Sequence, residues 1–366
     1  MKTILRRALK PAVPFLLTFA AALAVIVPIL ALSADDPKAA LVAFFAKPFS
    51  SWWYFGNTLN MAALYILAGT GSALALRAGT FNLGGEAQIY AAALAAAIAI
   101  PETAARLSAE SSLSPGVALF AGLAAAVAAG GLLGFLPGWL RAKRGTSELL
   151  SSFLLSAACV PAVDYLVVGP FRDGANNLVA TRMLPESARL APFAAPSYLN
   201  ASFPAALAVA LAAAFFLGRT GPGFKYRVSG TAREFAKFSG YPVGFVAAAG
   251  MTLSGALHGA TGFVAVAGTW YRCHQGFSAG MGWSALAVAL MAKSEPLAVI
   301  PAAFLLAWLQ SASAAAMLST RLGFDATSLI QAVIFLVVSA RALPRLGIPL
   351  PRFRAKATHA RTGGRP

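Results

Sequence analysis

Long uncharged stretches alternate with short clusters of charged residues along the whole chain. Most of these stretches contain the roughly 20 residues that an α-helix needs to cross ~30 Å of hydrocarbon. The pattern predicts an all-α polytopic membrane protein with about ten transmembrane helices. The predicted spans are the runs 11–34, 48–76, 87–101, 111–140, 149–163, 190–218, 238–271, 273–292, 296–320 and 326–340.

Composition and charge placement support this fold class. Hydrophobic residues make up 58% of the 366 residues and charged residues only 11%, whereas soluble domains carry about 25% charged residues. The net charge of +17 would also suit a nucleic-acid-binding protein. The placement of the basic residues along the chain distinguishes this class from a membrane protein. With the N-terminus inside, most of the 29 lysines and arginines fall on the cytoplasmic side, as the positive-inside rule requires. Ten spans then leave both termini in the cytoplasm.

The chain reads as a single transmembrane domain over residues 1–340, followed by a basic cytoplasmic tail over 341–366. The first uncharged run, 11–34, is longer than the roughly 7–15 residues of a signal-peptide core. We therefore expect it to be retained as an extra N-terminal span.

Two of the predicted spans carry small residues at every fourth position. Such positions share one helix face, which lets two helix backbones approach closely in lipid. We expect these spans to pack inside the bundle. The small residues are Gly122, Ala126, Gly130, Gly134 and Gly138 in the fourth span, and Gly250, Ser254, Gly255 and Gly259 in the seventh.

Ten spans divide into two halves of five, and an odd number per half inverts one half relative to the other. The third span of the first half opens with Phe81-Asn82-Leu83-Gly84, and the third span of the second half opens with Phe277-Ser278-Ala279-Gly280. The match predicts a 5+5 inverted repeat with one segment at the inner side and the other at the outer side, an arrangement known in transporters.

Polar residues cluster at the start of the run 87–101. The run gives only about 15 residues, or roughly 22 Å of helix, so the preceding Gly84-Gly85 turn is expected to lie at membrane depth. A carboxylate such as Glu86 costs ~2.5–3.5 kcal/mol at the centre of a bilayer and needs a partner or water. Two interpretations remain open. In the first, Asn82, Glu86 and Gln88 line a translocation path. In the second, Asn82 and Glu86 cap a helix start and pair with a neighbouring span.

The loop 219–242 contains a second constellation. Between Gly230 and Gly240, residues 231–239 form a predicted short amphipathic helix with charged residues at 233, 234 and 237. A helix this short is not stable alone, so it must dock on lipid headgroups or on a protein partner.

Catalytic signatures are absent from the sequence. There is no Walker A motif, no His-Glu-x-x-His and no Gly-x-Ser-x-Gly. His258 is predicted to be a packed polar residue in the seventh span, and Glu148 and Asp164 to mark the boundaries of the fifth. We conclude that this chain does not hydrolyse ATP.

Four segments resemble the permease subunits of bacterial ABC importers for nucleosides, which are related to the ribose and branched-chain amino acid permeases. They are "ALALRAGTFNLGGEAQIY", "GFKYRVSGTAREFAKFSGYPV", "TLSGALHGATGFVAVAG" and "GFSAGMGWSALAVAL". The resemblance extends from about residue 57 to 340. With its N-terminal extension, the chain looks most like the larger of the two permeases in such systems.

The resemblance implies a non-catalytic permease subunit of an ATP-driven importer in the cytoplasmic (inner) membrane. No cofactor is expected in this chain, since a separate ATPase subunit uses ATP and Mg²⁺. The implied partners are a second permease forming a heterodimer, a cytoplasmic ABC ATPase and an extracytoplasmic substrate-binding lipoprotein. The expected solute is a nucleoside, with purine nucleosides favoured.

The resemblance also implies site residues. In this family the loop 219–242 docks into a groove on the ATPase. The expected coupling residues are Gly230, Thr231, Ala232, Arg233, Glu234, Phe235, Ala236, Lys237 and Gly240. The expected path residues are Phe81, Asn82, Gly84, Gly85, Glu86, Gln88, Ser254, Phe277, Ser278 and Trp283. No metal ligands are expected.

Several positions depart from the family pattern. The family has "GENPKAA" where this chain has Gly230-Thr231-Ala232-Arg233, Asp-Gly-Ile where it has Ser284-Ala285-Leu286, and often Asn where it has Glu295. These departures bear on the solute, so permeases for ribose-type sugars or branched-chain amino acids are alternatives. An ion-coupled secondary transporter using Glu86 is an alternative of another class.

Overall fold

The computed structural model describes residues 23–32, 34–107, 114–175, 177–193 and 195–320, with the single residues 20 and 332. The part of the chain within these ranges is mainly helical. It also contains two isolated antiparallel β-bridges, Ala180 with His274 and Pro192 with Asn200. The helices are α1 (Leu23–Leu32), α2 (Pro37–Ala46), α3 (Trp52–Arg77), α4 (Gly85–Arg106), α5 (Ser114–Arg144), α6 (Glu148–Val168), α7 (Ser202–Arg219), α8 (Gly221–Thr231), α9 (Arg233–Phe238), α10 (Val243–Ala265, continued by a π-helical turn Val266–Trp270), α11 (Met281–Met291) and α12 (Pro296–Thr320).

Seven helices in the described ranges are long and apolar enough to cross a membrane: α3, α4, α5, α6, α7, α10 and α12. The apolar helices α1 and α11 are shorter, and α11 has 11 residues. The run 326–340, the tail 341–366 and part of the run 11–34 lie outside the described residues. The helical polytopic fold is confirmed, whereas the number of ten spans stays a prediction.

Several helix boundaries differ from the limits of the uncharged runs, and three of them are informative. α4 has 22 residues, because the helix continues through Pro101 to the exposed ion pair between Glu102 and Arg106. α6 continues to Val168, so Asp164 lies within the helix and the predicted boundary at this residue is wrong. α7 begins only at Ser202, since the preceding residues form turns. At these three boundaries the uncharged run and the helix therefore have different limits.

Side-chain caps explain several helix starts. The hydroxyl of Ser51 accepts a hydrogen bond from the N–H of Tyr54 at the start of α3 (3.4 Å), and the hydroxyl of Thr220 accepts one from the N–H of Gly223 at the start of α8 (3.0 Å). Such caps satisfy backbone donors that have no partner within the helix.

The small-residue faces predicted on the fourth and seventh spans are confirmed. α5 and α10 form the most extensive helix pair of the described bundle, and a Cβ atom on Gly130 would lie 2.8 Å from the Cα of Gly259. Gly134 and Gly138 approach the backbone of Met251 and Ala248 in the same way. Glycine is needed along this crossing because the two backbones are in direct contact.

One end of the bundle collects basic residues and is called the basic end below. Here α3, α5 and α7 finish and α8 and α9 lie. Gly230 of α8 contacts the backbone of Arg77 and Gly79 at the end of α3. At the same end, Gly244 at the start of α10 lies near Ala142 of α5.

The start of α4 lies beside the middle of α10. A Cβ atom on Gly85 would lie 3.3 Å from the Cε1 of His258. His258 follows Val243, the first residue of α10, by about 22 Å along the helix axis at 1.5 Å per residue. The Gly84-Gly85 turn therefore lies at mid-height of a helix long enough to span the membrane, in agreement with the short uncharged run.

Candidate functional site

α4 and α11 begin at the same place in the bundle. A Cβ atom on Gly85 would lie 2.9 Å from the Cα of Gly282. α11 returns from this point to the basic end, where Glu295 pairs with Arg77. We call residues 81–88 and 277–283 the α4–α11 junction. It contains both tetrapeptides of the predicted repeat, each directly before a helix start.

The carboxylate of Glu86 caps the start of α11 and not of its own helix. It accepts hydrogen bonds from the backbone N–H groups of Gly282 (2.7 Å), Trp283 (3.2 Å) and Gly280 (3.3 Å). The first N–H groups of a helix have no carbonyl partner one turn earlier in the helix, and a negative charge at a helix start is favourable. Of the two interpretations of Glu86, pairing with a neighbouring helix is the geometry observed, and the side chain is nevertheless only half-buried.

Asn82 and Gln88 belong to a buried polar network. Their side-chain amides are joined by two hydrogen bonds (2.8 and 3.2 Å), and Asn82 also donates to the hydroxyl of Ser254 (2.9 Å). His258 lies in the core as predicted, with Nδ1 2.7 Å from the Oε1 of Gln88 and Nε2 3.2 Å from the hydroxyl of Ser72. All five residues are buried. The network joins α3, α4 and α10 and fixes the turn before α4.

A second carboxylate, which the sequence interpretation missed as a site residue, holds the segment before α11. The Oδ1 of Asp164 on α6 accepts hydrogen bonds from the Tyr90 hydroxyl (2.6 Å) and from the N–H of Gly276 (3.1 Å). Asp164 thus bonds the first residue of the irregular segment 276–280, and Glu86 bonds its last residue and the start of α11. An isolated aspartate within an apolar stretch was the signal that could have revealed it.

The predicted path residues differ in accessibility. A shallow recess at the α4–α11 junction is lined by Asn82, Leu83, Gly85, Glu86, Gly282, Trp283 and Leu286. Trp283 is 38% exposed, and Phe81 is half-buried. Ser254 and Ser278, in contrast, are buried. Glu86, Trp283 and Phe81 therefore form the accessible part of the predicted path.

Two aromatic residues near the path are packed inside the protein. The rings of Tyr90 and Phe277 stack with centroids 6.4 Å apart, and both side chains are fully buried. In this conformation they support the segment before α11 from within. A solute at the recess would meet Trp283 and not these two rings.

The loop 219–242 forms two helices where one was predicted. Gly230 and Thr231 belong to α8, Ala232 separates the helices, and α9 contains only Arg233–Phe238. The predicted boundary at Gly230 is wrong, because this glycine is needed for contact with the backbone of Arg77 and Gly79 and not for a turn. The sequence reasoning did not anticipate α8.

α8 is anchored to the end of α3 through Tyr226. The buried Tyr226 hydroxyl donates a hydrogen bond to the carbonyl oxygen of Leu74 (2.9 Å), and burial raises the pKa of Tyr226 above its usual value. The neutral, hydrogen-bonding form is thereby maintained. α8 connects the loop rigidly to the bundle.

α9 exposes most of its side chains. Ala236 is buried, whereas Phe235 is 60% and Phe238 is 93% exposed. Arg233, Glu234 and Lys237 are exposed as well. Two aromatic rings on a charged, six-residue helix form an apolar surface without a cover in the single chain.

Replacing Glu86 by alanine is expected to lower solute uptake about tenfold, because three N–H groups at the start of α11 lose a charged acceptor, at about 1–3 kcal/mol for an unsatisfied donor. Glu86→Gln keeps one acceptor oxygen, so its solute uptake should lie between that of the unmodified chain and that of Glu86→Ala. Uptake into proteoliposomes measures the effect. Glu102→Ala, which removes a carboxylate from an exposed ion pair on the same helix, is the control, and equal uptake in Glu86→Ala and Glu102→Ala would contradict the prediction.

Tyr90→Phe is expected to lower the free energy of unfolding by about 1.5–3 kcal/mol, the usual contribution of a hydrogen bond to a charged group. The reason is that the bond to Asp164 is lost in a buried environment. Denaturation of the purified protein in detergent provides the measurement. Tyr165→Phe is the matched control, since Tyr165 on α6 is 74% exposed; a loss of equal size in both variants would refute this role of Tyr90.

Among the described residues, no group of three or more His, Cys, Asp or Glu is placed to hold a metal ion. The site consists instead of two helix starts at mid-height: carboxylates hold the start of α11, and the side chains of Asn82 and Ser156 hold the start of α4. Irregular backbone at this depth is tolerated only where it is buried in protein or lines a wet cavity. Fold and site together define a membrane transport protein with discontinuous helices.

Sequence comparison identifies the family. A model of the permease component of branched-chain amino acid transport systems matches residues 54–339. The chain belongs to this family and is a multi-pass protein of the cytoplasmic membrane. No solved structure shows significant similarity to it.

Three curated relatives match most of the chain. A probable riboflavin import permease protein of Treponema pallidum is 39% identical over 92% of this chain and 86% of its own length. A glucose ABC transporter permease protein of Haloferax volcanii is 29% identical over 90% of this chain and 88% of its own. A guanosine ABC transporter permease protein of Bacillus subtilis is 28% identical over 80% of this chain and 82% of its own.

Proposed function

We propose that this chain is the non-catalytic permease half of an ATP-driven importer for nucleosides or riboflavin-like solutes. Guanosine and riboflavin, the solutes named for two of the relatives, each join a planar nitrogen heterocycle to a hydroxyl-rich ribose or ribityl group. The half-exposed Glu86 and Trp283 at the recess suit these two parts, because a carboxylate accepts hydrogen bonds from hydroxyl and ring N–H groups and an indole stacks on a flat ring.

The observation that carries the proposal is the α4–α11 junction, where two helices begin at mid-height of the bundle beside the partly exposed Glu86 and Trp283. Half-helix starts near the centre of the membrane are the usual place of solute sites in transporters. The predicted path residues from Phe81 to Gln88, with Phe277, Ser278 and Trp283, surround this junction. The buried Ser254 does not line the recess but accepts a hydrogen bond from the side chain of Asn82.

The family and the exposed surfaces support the rest of the proposed assembly. The open side of the junction faces a second permease, which completes the path as a heterodimer. An ABC ATPase binds α9 at the basic end, which faces the cytoplasm, and a substrate-binding protein delivers solute at the opposite end. ATP and Mg²⁺ belong to the ATPase, and this chain holds no cofactor. The ten spans, the inverted repeat and the cytoplasmic termini complete the proposed topology.

Reconstitution tests this function. The chain, produced with the ATPase and second permease encoded beside it and with the binding protein, is placed in liposomes with internal or external ATP. We expect ATP-dependent uptake of purine nucleosides or riboflavin, and little uptake of glucose, ribose or branched-chain amino acids. Uptake that needs no ATP and stops with an ionophore would support an ion-coupled transporter. Uptake of glucose alone would support a sugar permease.

A further inference from the structure

α11 is held at both ends by side chains from one short stretch of chain. At its start, the carboxylate of Glu86 accepts three backbone N–H groups. Beyond its end, the guanidinium of Arg77 donates from Nε to the carbonyl oxygen of Ser294 (2.9 Å) and pairs with Glu295. The negative group sits at the helix start and the positive group at its end, so both complement the helix dipole.

The turn that Arg77 contacts has an unfavourable backbone conformation. Lys293 and Ser294 both have positive φ, at 52° and 59°, although neither is glycine. Such residues keep this conformation only when their surroundings enforce it. The turn is held by its own backbone bonds, such as that from the N–H of Ser294 to the carbonyl oxygen of Ala289 (2.8 Å), and the contacts from Arg77 to Ser294 and Glu295 add support from α3.

α8 packs on the same stretch. A Cβ atom on Gly79 would lie 2.9 Å from the Cα of Gly230 on α8, so the two backbones touch. α8 also brings Arg227 near Arg77. With two arginines together, an acidic residue at 295 supplies a counter-charge that asparagine would lack, which accounts for one departure from the family pattern.

We propose that Arg77 is a positioning residue for transport: together with Glu86 it fastens both ends of α11 to residues 77–86, so that α11 follows α8 when the ATPase acts. This inference rests on the proposed function, because it takes α8 and α9 as the segment that the ATPase moves. Arg77 itself touches no solute.

The experiment follows the movement of the segment before α11 separately from transport. Ala279 is exposed in this segment and is replaced by cysteine in a background in which Cys159 and Cys273 are alanine. The complete importer is placed in nanodiscs, and the rate of labelling by a maleimide is measured without nucleotide and after trapping with ATP and vanadate. We expect the rate to change several-fold on trapping, and the change to be lost in Arg77→Ala. Solute moved per ATP hydrolysed should fall about tenfold in this variant, as for loss of a hydrogen bond from a charged group.

Arg106→Ala is the matched control, since it removes an arginine from an exposed ion pair on α4 and should preserve the response. Arg77→Lys covers the case in which Arg77→Ala is not incorporated into the complex. Lysine keeps the charge but lacks the planar guanidinium that can bond Ser294 and Glu295 at the same time. The change in labelling rate on trapping should therefore be smaller in Arg77→Lys than in the unmodified importer. An unchanged response in Arg77→Lys or Arg77→Ala overturns the inference, as does a labelling rate that never depends on nucleotide. Absence of ATP-dependent uptake by the unmodified importer would instead refute the proposed function.

Discussion

Replacing Phe235 and Phe238 by alanine should release the ATPase from the membrane subunit and abolish uptake, with normal insertion of the chain. Both rings are exposed on α9, one at 60% and the other at 93%, and aromatic side chains that fill a partner's pocket contribute about 2 kcal/mol or more each to binding. Loss of both should weaken association about a hundredfold or more. Co-purification of the ATPase with the tagged chain and uptake into proteoliposomes measure the two effects.

The control for this variant is Phe120→Ala. Phe120 is 71% exposed on α5, at the end of that helix opposite to α9. Loss of an exposed ring there should leave the ATPase bound. Charge reversal in Arg233→Glu with Lys237→Glu tests the polar part of the same surface and should also abolish uptake. Normal ATP-dependent uptake by the phenylalanine and charge variants would show that α9 is not the docking helix.

The second large effect is expected at the crossing of α5 and α10. Gly130→Ala should lower the free energy of unfolding by about 1–3 kcal/mol, the usual cost of adding a methyl group to a fully packed site. The added Cβ would lie 2.8 Å from the Cα of Gly259, and backbone cannot move aside as a flexible side chain can. Thermal or denaturant unfolding in detergent provides the value.

The neighbouring Gly131 offers a matched control. A Cβ atom at this position would lie 3.8 Å from that of Ala256, an ordinary van der Waals contact. Gly131→Ala should therefore be neutral or slightly stabilising, because alanine favours the helix over glycine. Equal stability of the two variants would mean that α5 and α10 do not cross as closely as their glycines indicate.

The local features that the sequence predicted well are those set by periodicity. Small residues at every fourth position predicted the close α5–α10 crossing, since helical geometry alone places them on one face. The short run 87–101 predicted that the turn before α4 lies at membrane depth, and this turn lies beside the middle of α10. In each case the information lies within one helix.

The features that the sequence did not predict depend on contacts between distant segments. Asp164 was taken for a boundary residue, because only the fold brings the Tyr90 hydroxyl and the Gly276 N–H to it. Gly230 was taken for a helix end, whereas its lack of a side chain serves a contact with Gly79. The burial of Tyr90 and Phe277 was equally out of reach of the sequence.

A reader of the sequence alone can recognise a helical membrane protein with permease motifs, because hydrophobic length and local spacing are properties of each segment alone. The sequence left Glu86 with two possible roles. Which helix that carboxylate caps depends on the tertiary structure. Its donors at Gly280, Gly282 and Trp283 are almost two hundred residues away in the chain. Their position is fixed only by the way in which α4 and α11 meet. Long-range pairing of polar groups in an apolar bundle is decided by packing, because each buried donor bonds whichever acceptor the fold places beside it.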